Sequence, residues 1–383
     1  MRPVFGEYYT MGFGWAGKFQ HAENLYQQVI QRWPESSAVR KAQLGVSRID
    51  IILLIKAGDY SAAETQIAQI LEDFSDLSSM PEVLYHIARR YQWSREYERA
   101  GSIHQELIRR YPDSDMADRA RLDIARTGIL ALIKTGDYAA AETEIAKLLQ
   151  NFSGHLSLPT LVYSIAKEYE TKHKYGKAAS LHQQILQQWP DNSYVGMARF
   201  DFSKTTVMSL IQSGSYAAAD DEAGKFKANF SSNVNFSKAM FHIGGEYYKK
   251  AVFSDANAPL AEADELYGKA VSAWQTVLQE PQSYAFTPAA YYLSGRYYYK
   301  SGQYNNAINC CQRVSADWPD CEYACRALLT AGRSWEKLLD AGQIAKSEAE
   351  SQITAVCNQI LEKYPGCEAV NYAGHWLSKN ISQ

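Results

Sequence analysis

Apolar residues recur along this chain at helical spacing, and the recurrence itself repeats. In SLPTLVYSIAKEYETKHKYGKAASLHQQILQQWP, Leu161, Ile165 and Tyr169 fall at i, i+4 and i+8. Ala178, Leu181, Ile185 and Trp189 follow at helical intervals after a short polar turn. The spacing predicts two helices joined as a hairpin and closed by Pro190. No alternating apolar and polar run bounded by hairpin-turn residues occurs, so strands are not expected.

The hairpin is written many times. KAGDYSAAETQIAQILEDF, from Lys56 to Phe74, returns almost unchanged as KTGDYAAAETEIAKLLQNF from Lys134. A degenerate copy, QSGSYAAADDEAGKFKANF, begins at Gln212, each start lying 78 residues after the last. An aromatic–proline pair keeps the same period at Trp33-Pro34, Tyr111-Pro112 and Trp189-Pro190, with later copies at Trp318-Pro319 and Tyr364-Pro365. The marker aromatics Phe19, Tyr60, Tyr97, Tyr138, Tyr175 and Tyr216 are separated alternately by 41 and 37 residues, so the 78-residue unit is a pair of hairpins. Gly58, Gly136 and Gly214 are expected to supply the left-handed residue that ends the first helix of the longer type.

Around each marker lie a small residue nine before, an aromatic six before, an alanine three after and a proline fifteen after. Ala166, Tyr169, Tyr175, Ala178 and Pro190 fill these places in one hairpin, and Gly295, Tyr298, Tyr304, Ala307 and Pro319 in another. These residues resemble the tetratricopeptide repeat (TPR) signature. The resemblance implies an all-α fold, a right-handed TPR α-solenoid of about eight or nine helical hairpins in 78-residue tandem units. In such a fold small residues let helices approach and aromatics fill the gaps between hairpins. The longer hairpins depart from the signature, with Ile51, Ile129 and Val207 at the small-residue place, and their first helices are expected to be longer. Residues 1–234 read as three tandem double-repeat units. Residues 235–383 read as degenerate hairpins, with an insertion around FSDANAPLAEADE, a cysteine cluster and a lone capping helix in CEAVNYAGHWLSKN. The turns WPESS, YPDSD and WPDNS resemble those of TPR proteins of the bacterial cell envelope, which implies the periplasm or extracellular surface; the alternative is the cytoplasm.

Composition narrows the partners. With 39 basic and 42 acidic residues and a net charge of -3, the chain carries no field that would gather a polyanion, and nucleic acid is not expected. The longest apolar runs, such as Ile51 to Ile55, are far below the roughly 20 residues of a membrane-spanning helix. The opening MRPVFGEYYT lacks the apolar segment of a secretion signal.

Candidate chemistry is sparse. No H-E-x-x-H, C-x-x-C-H or glycine-rich phosphate loop occurs, and His104 and His182, 78 apart on second helices, read as structural. The expectation is a protein that is not an enzyme, with no catalytic residue, cofactor or metal. The six cysteines, Cys310, Cys311, Cys321, Cys325, Cys357 and Cys367, all lie in the last 74 residues. They read either as a disulfide framework, with Cys311 to Cys325 as one bridge helical geometry favours, or as buried reduced positions at Cys311 and Cys357. Asn151, Asn229, Asn235 and Asn380 head Asn-x-Ser glycosylation sequons, the first two as repeat equivalents.

What remains is a surface. The TPR resemblance puts the first helices on a concave face and assigns partner contacts by their offset from each marker. It thereby selects Arg48, Tyr85, Arg89, Trp93, Arg126, Tyr163, Lys167, Lys204, Phe241, Tyr292 and Arg296 as peptide-binding. Aromatics beside positive charges suit a protein or extended peptide that is acidic or ends in a carboxylate. The alternative function is structural: a homo-oligomer stacked end to end, with Phe5 and Tyr8 of one copy against the region of Trp376 in the next.

Overall fold

Two residues before Tyr60, Tyr97, Tyr138, Tyr175, Tyr216 and Tyr304 the backbone turns left-handed. Gly58, Gly136, Gly214 and Gly302 adopt φ of 82°, 88°, 80° and 75°, and Arg95 and His173 occupy the same place at 66° and 54°. At Gly58 the turn closes the first helix by amide bonds to the carbonyls of Ile55 and Leu54. Asp59 and Asp137 then cap the next helix, their carboxylates accepting from the amides of Ala62 and Ala140 at 3.1 Å. One four-residue pattern therefore ends a helix, reverses the chain and starts another.

The structure is a computed structural model that describes residues 15–257, 260–279 and 285–380, so Phe5 and Tyr8 lie outside the described residues. The described residues form helices and no strand. They run α1 (Trp15–Arg32), α2 (Ala38–Ala57), α3 (Tyr60–Asp73), α4 (Met80–Trp93), α5 (Tyr97–Arg110), α6 (Asp115–Thr135), α7 (Tyr138–Asn151), α8 (Leu158–Thr171) and α9 (Tyr175–Gln188). They continue as α10 (Val195–Gln212), α11 (Tyr216–Phe230), α12 (Phe236–Asn257), α13 (Leu260–Leu278), α14 (Thr287–Lys300), α15 (Tyr304–Asp317), α16 (Ala324–Asp340), α17 (Lys346–Lys363) and α18 (Val370–Asn380). The first helices α2, α6 and α10 of the longer hairpins have 20, 21 and 18 residues against 14 in α4, α8 and α14. Ile51, Ile129 and Val207 are fully buried in them, so branched side chains fill the place that a small residue holds in the shorter type.

The chain divides into two compact units, residues 1–161 and 162–383, with the division inside α8. In the first, α2 packs on α4 and α4 on α6, while each also pairs with the helix that follows it. Their core is an aliphatic layer that includes Leu44, Ile51, Ile55, Ile67, Leu84 and Leu107. In the second, α10 packs on α12 and α14 on α16 by the same rule. The insertion takes the form of added helix: α13 begins at Leu260, so Tyr267 lies inside it instead of opening it. Trp274 then fills the space at Gly244, where a Cβ would stand 2.4 Å from the indole nitrogen. No described helix is long and apolar enough to cross a membrane.

The cysteines follow both readings in part. Cys325 is bridged to Cys367. The Cys311 to Cys325 bridge does not form, because Cys311 points into the α14–α15 contact: a Cβ on Gly295 would lie 2.5 Å from its sulfur. Cys311 and Cys357 are buried free thiols, and burial pushes the Cys357 thiol up to about 12.

Candidate functional site

Neighbouring hairpins carry one constellation twice, 78 residues apart. Tyr85, Arg89, Gln92, His104, Asp123 and Arg126 correspond to Tyr163, Lys167, Glu170, His182, Asp201 and Lys204. In both copies the tyrosine ring lies on the buried histidine of the following helix, at 5.7 Å for Tyr85 with His104 and 5.3 Å for Tyr163 with His182. The two copies differ in how their charges are satisfied.

In the first unit the positive charge faces aromatic rings. The Arg89 guanidinium lies 6.0 Å from the Tyr85 ring centre and 5.6 Å from that of Trp93, a cation–π pair on one helix face. Tyr85 is buried and Trp93 is 54% exposed, so the cluster has a fixed floor and an open edge. Arg48 on α2 approaches the same region: partial burial and then the charges of Arg48 and Arg89 hold His86 below the ordinary histidine range, against the pull of Glu82. The Nε atoms of Arg48 and Arg126 are buried and have no hydrogen-bond partner among the described residues. Asp123 is the nearby acid, 3.9 Å from His104, and burial keeps that histidine neutral by lowering its pKa.

In the second unit the charges close on one another. Lys204 donates to Asp201 Oδ1 at 2.6 Å and to Glu170 Oε2 at 2.7 Å, and Lys167 reaches the same two carboxylates at 3.3 and 2.8 Å. The Tyr163 hydroxyl donates to Asp201 Oδ2 at 2.6 Å, and His182 Nε2 lies 3.1 Å from Glu170 Oε1. Burial alone would raise the Asp201 pKa, but the charges of Lys204 and Lys167 and the bonds from Lys204 and Tyr163 hold it down to about 2. Lys204 is driven the other way, its burial outweighed by Asp201 and Glu170, so both stay charged. Glu170, His182 and Asp201 place donor atoms within 4.8 Å of one another, a spacing a cation could use. The two lysine ammoniums already occupy those carboxylate lone pairs, which leaves a metal little to gain. An open cavity of about 480 Å³ adjoins the cluster, and Lys238 and His242 of α12 add to its wall.

The remaining selected residues scatter. Phe241 stacks on Phe286 at 5.1 Å and packs toward Trp274, and Tyr292 is buried against Tyr323 at 5.3 Å. Arg296 lies over the Tyr292 ring at 5.9 Å and keeps its head exposed. Trp376 is 8% exposed and packs with Ile353, Ile360 and Ala373, which leaves little of its ring for stacking. The acids Asp123, Glu170 and Asp201 escape a reading based on groove offsets. Their signal is the shared period, with Asp123 and Asp201 each three residues before the cation at 126 or 204.

Residues 289–320, covering most of α14, all of α15 and the turn after it, match the family model of the tetratricopeptide repeat. This hairpin is a tetratricopeptide repeat. Its TPR positions are physically legible: Gly295 admits the Cys311 sulfur, Ala307 is fully buried, and Pro319 receives a hydrogen bond from the Tyr364 hydroxyl at 2.7 Å. Among solved structures, the crystal structure of the P58(IPK) TPR domain is similar over 96% of each chain at 15% identity, with a TM-score of 0.26. No curated protein matches this chain.

Proposed function

We propose that this chain is a non-catalytic TPR scaffold that holds an extended acidic protein segment on the first-helix face of residues 1–161. The observation that carries the reading is the Tyr85–Arg89–Trp93 cluster, a cation held between a buried and an exposed ring. Tyrosine, tryptophan and arginine are the side chains that dominate protein interfaces, and a guanidinium fixed on an aromatic face loses little freedom when a carboxylate docks. Arg48 and Arg126 on the flanking first helices extend the positive face, whereas the equivalent lysines of the second unit are neutralised by their own acids. The second unit then contributes a cluster in which two lysines and two carboxylates balance, more than an attracting field.

A fluorescein-labelled decaglutamate peptide titrated with the full chain tests this by anisotropy. Saturable binding that weakens with salt, and that Arg89→Ala loosens by about tenfold, is expected. Wild-type affinity in both Arg89→Ala and Trp93→Ala would remove the reading. The Cys325–Cys367 bridge supports placing the protein in an oxidising compartment such as a bacterial periplasm. A free-thiol count on protein isolated from that compartment checks it, with four unbridged cysteines expected.

A further inference from the structure

Three cysteines line one open cavity of about 570 Å³ in the second unit: Cys321, Cys325 and Cys367. Cys325, in the first turn of α16, is bonded to Cys367, in the turn before α18, with their Cα atoms 6.6 Å apart. Cys321 is a partly exposed free thiol on the same wall. Cys321 and Cys367 hold the same place in successive hairpins, three residues after Trp318 and Tyr364, and each amide donates to the carbonyl of that aromatic at 3.1 and 3.0 Å. The two turns are tied together by the Tyr364 hydroxyl, which donates to the Pro319 carbonyl at 2.7 Å.

We propose that this trio is a thiol–disulfide exchange site. The Cys321 thiolate attacks the sulfur of Cys367, the Cys321–Cys367 bond forms, the Cys325–Cys367 bond breaks, and Cys325 leaves as a thiolate that takes up a proton. One disulfide is lost and one gained, the proton given up by Cys321 is balanced by that gained at Cys325, and no oxidant is consumed. Access decides which sulfur is attacked: Cys367 is a partly exposed turn residue, whereas Cys325 is 7% exposed at the start of a helix. The expelled Cys325 becomes a buried thiol, a state the same unit already holds at Cys311 and Cys357. Exchange moves the covalent tie of the turn before α18 from the first turn of α16 to the turn that precedes α16.

The experiment maps disulfides without reduction, after the protein is unfolded in guanidinium containing N-ethylmaleimide, so that buried thiols are alkylated too, and then proteolysed. Full-length protein is first held at roughly pH 8, near the ordinary thiol pKa of about 8.5, where thiolate is present. Wild type is expected to yield both the Cys325–Cys367 and the Cys321–Cys367 peptide pairs, with Cys325 alkylated in the second; Cys321→Ser should yield the first pair alone. Cys325→Ser, equilibrated with a glutathione redox buffer, is expected to form Cys321–Cys367. The proposal is overturned if wild type never shows an alkylated Cys325, or if folded Cys325→Ser leaves Cys321 and Cys367 both alkylated.

Discussion

Lys204 and Asp201 stand one helical turn apart on α10 and form a 2.6 Å ion pair while only 9% and 5% exposed. Such a pair is costly to assemble and more costly to break, because removing the Asp201 charge leaves Lys204 and Lys167 sharing the single carboxylate of Glu170 away from bulk water. Asp201→Asn is therefore expected to destabilise the protein by about 3 kcal/mol in urea titrations. The double change Asp201→Leu with Lys204→Met should cost clearly less than the sum of the two single changes. Additive losses would show that the pair is not coupled.

The same pair sets an acid limit. The folded Asp201 pKa, about 2, lies below the ordinary aspartate value, so its contribution is complete above about pH 4 and is lost as pH falls toward 2. Urea midpoints of wild type should drop steeply across that interval. Those of Asp201→Asn should drop less, since the titrating group is gone. Parallel curves would contradict the assignment.

Much of this fold can be read from the chain because its devices are local. A glycine or a tolerated substitute two residues before an aromatic, an Asp cap and an aromatic–proline closure each act within one hairpin, and the 78-residue period multiplies them. The site was less legible for the opposite reason. Whether Lys204 is a free contact or an internal partner depends on Glu170, 34 residues earlier on another helix. The cysteines failed similarly: Cys311 to Cys325 is plausible by spacing, but the missing side chain of Gly295 draws Cys311 inward.

That packing is testable at Gly295. A Cβ there would meet the Cys311 sulfur at 2.5 Å, so Gly295→Ala is expected to destabilise by about 1 to 3 kcal/mol through overpacking. Combining it with Cys311→Ala should restore much of the loss. Thermal melts of the two variants decide the matter, and no rescue would place the strain elsewhere.

The left-handed position offers a change in the other direction. Arg95 adopts φ of 66° where four other hairpins have glycine. Arg95→Gly should stabilise the protein by up to about 1 kcal/mol, and Gly58→Ala should destabilise it by a similar amount. Equal melting temperatures for all three proteins would show that the turn carries no strain.

An acidic partner segment is expected to lie along the first helices of residues 1–161. Hydrogen exchange with and without saturating decaglutamate peptide tests it most directly. Added protection in α2, α4 and α6, centred on the turns around Arg48, Arg89 and Arg126, is the expected result. Protection confined to α3, α5 and α7, or none under saturating peptide, would contradict it.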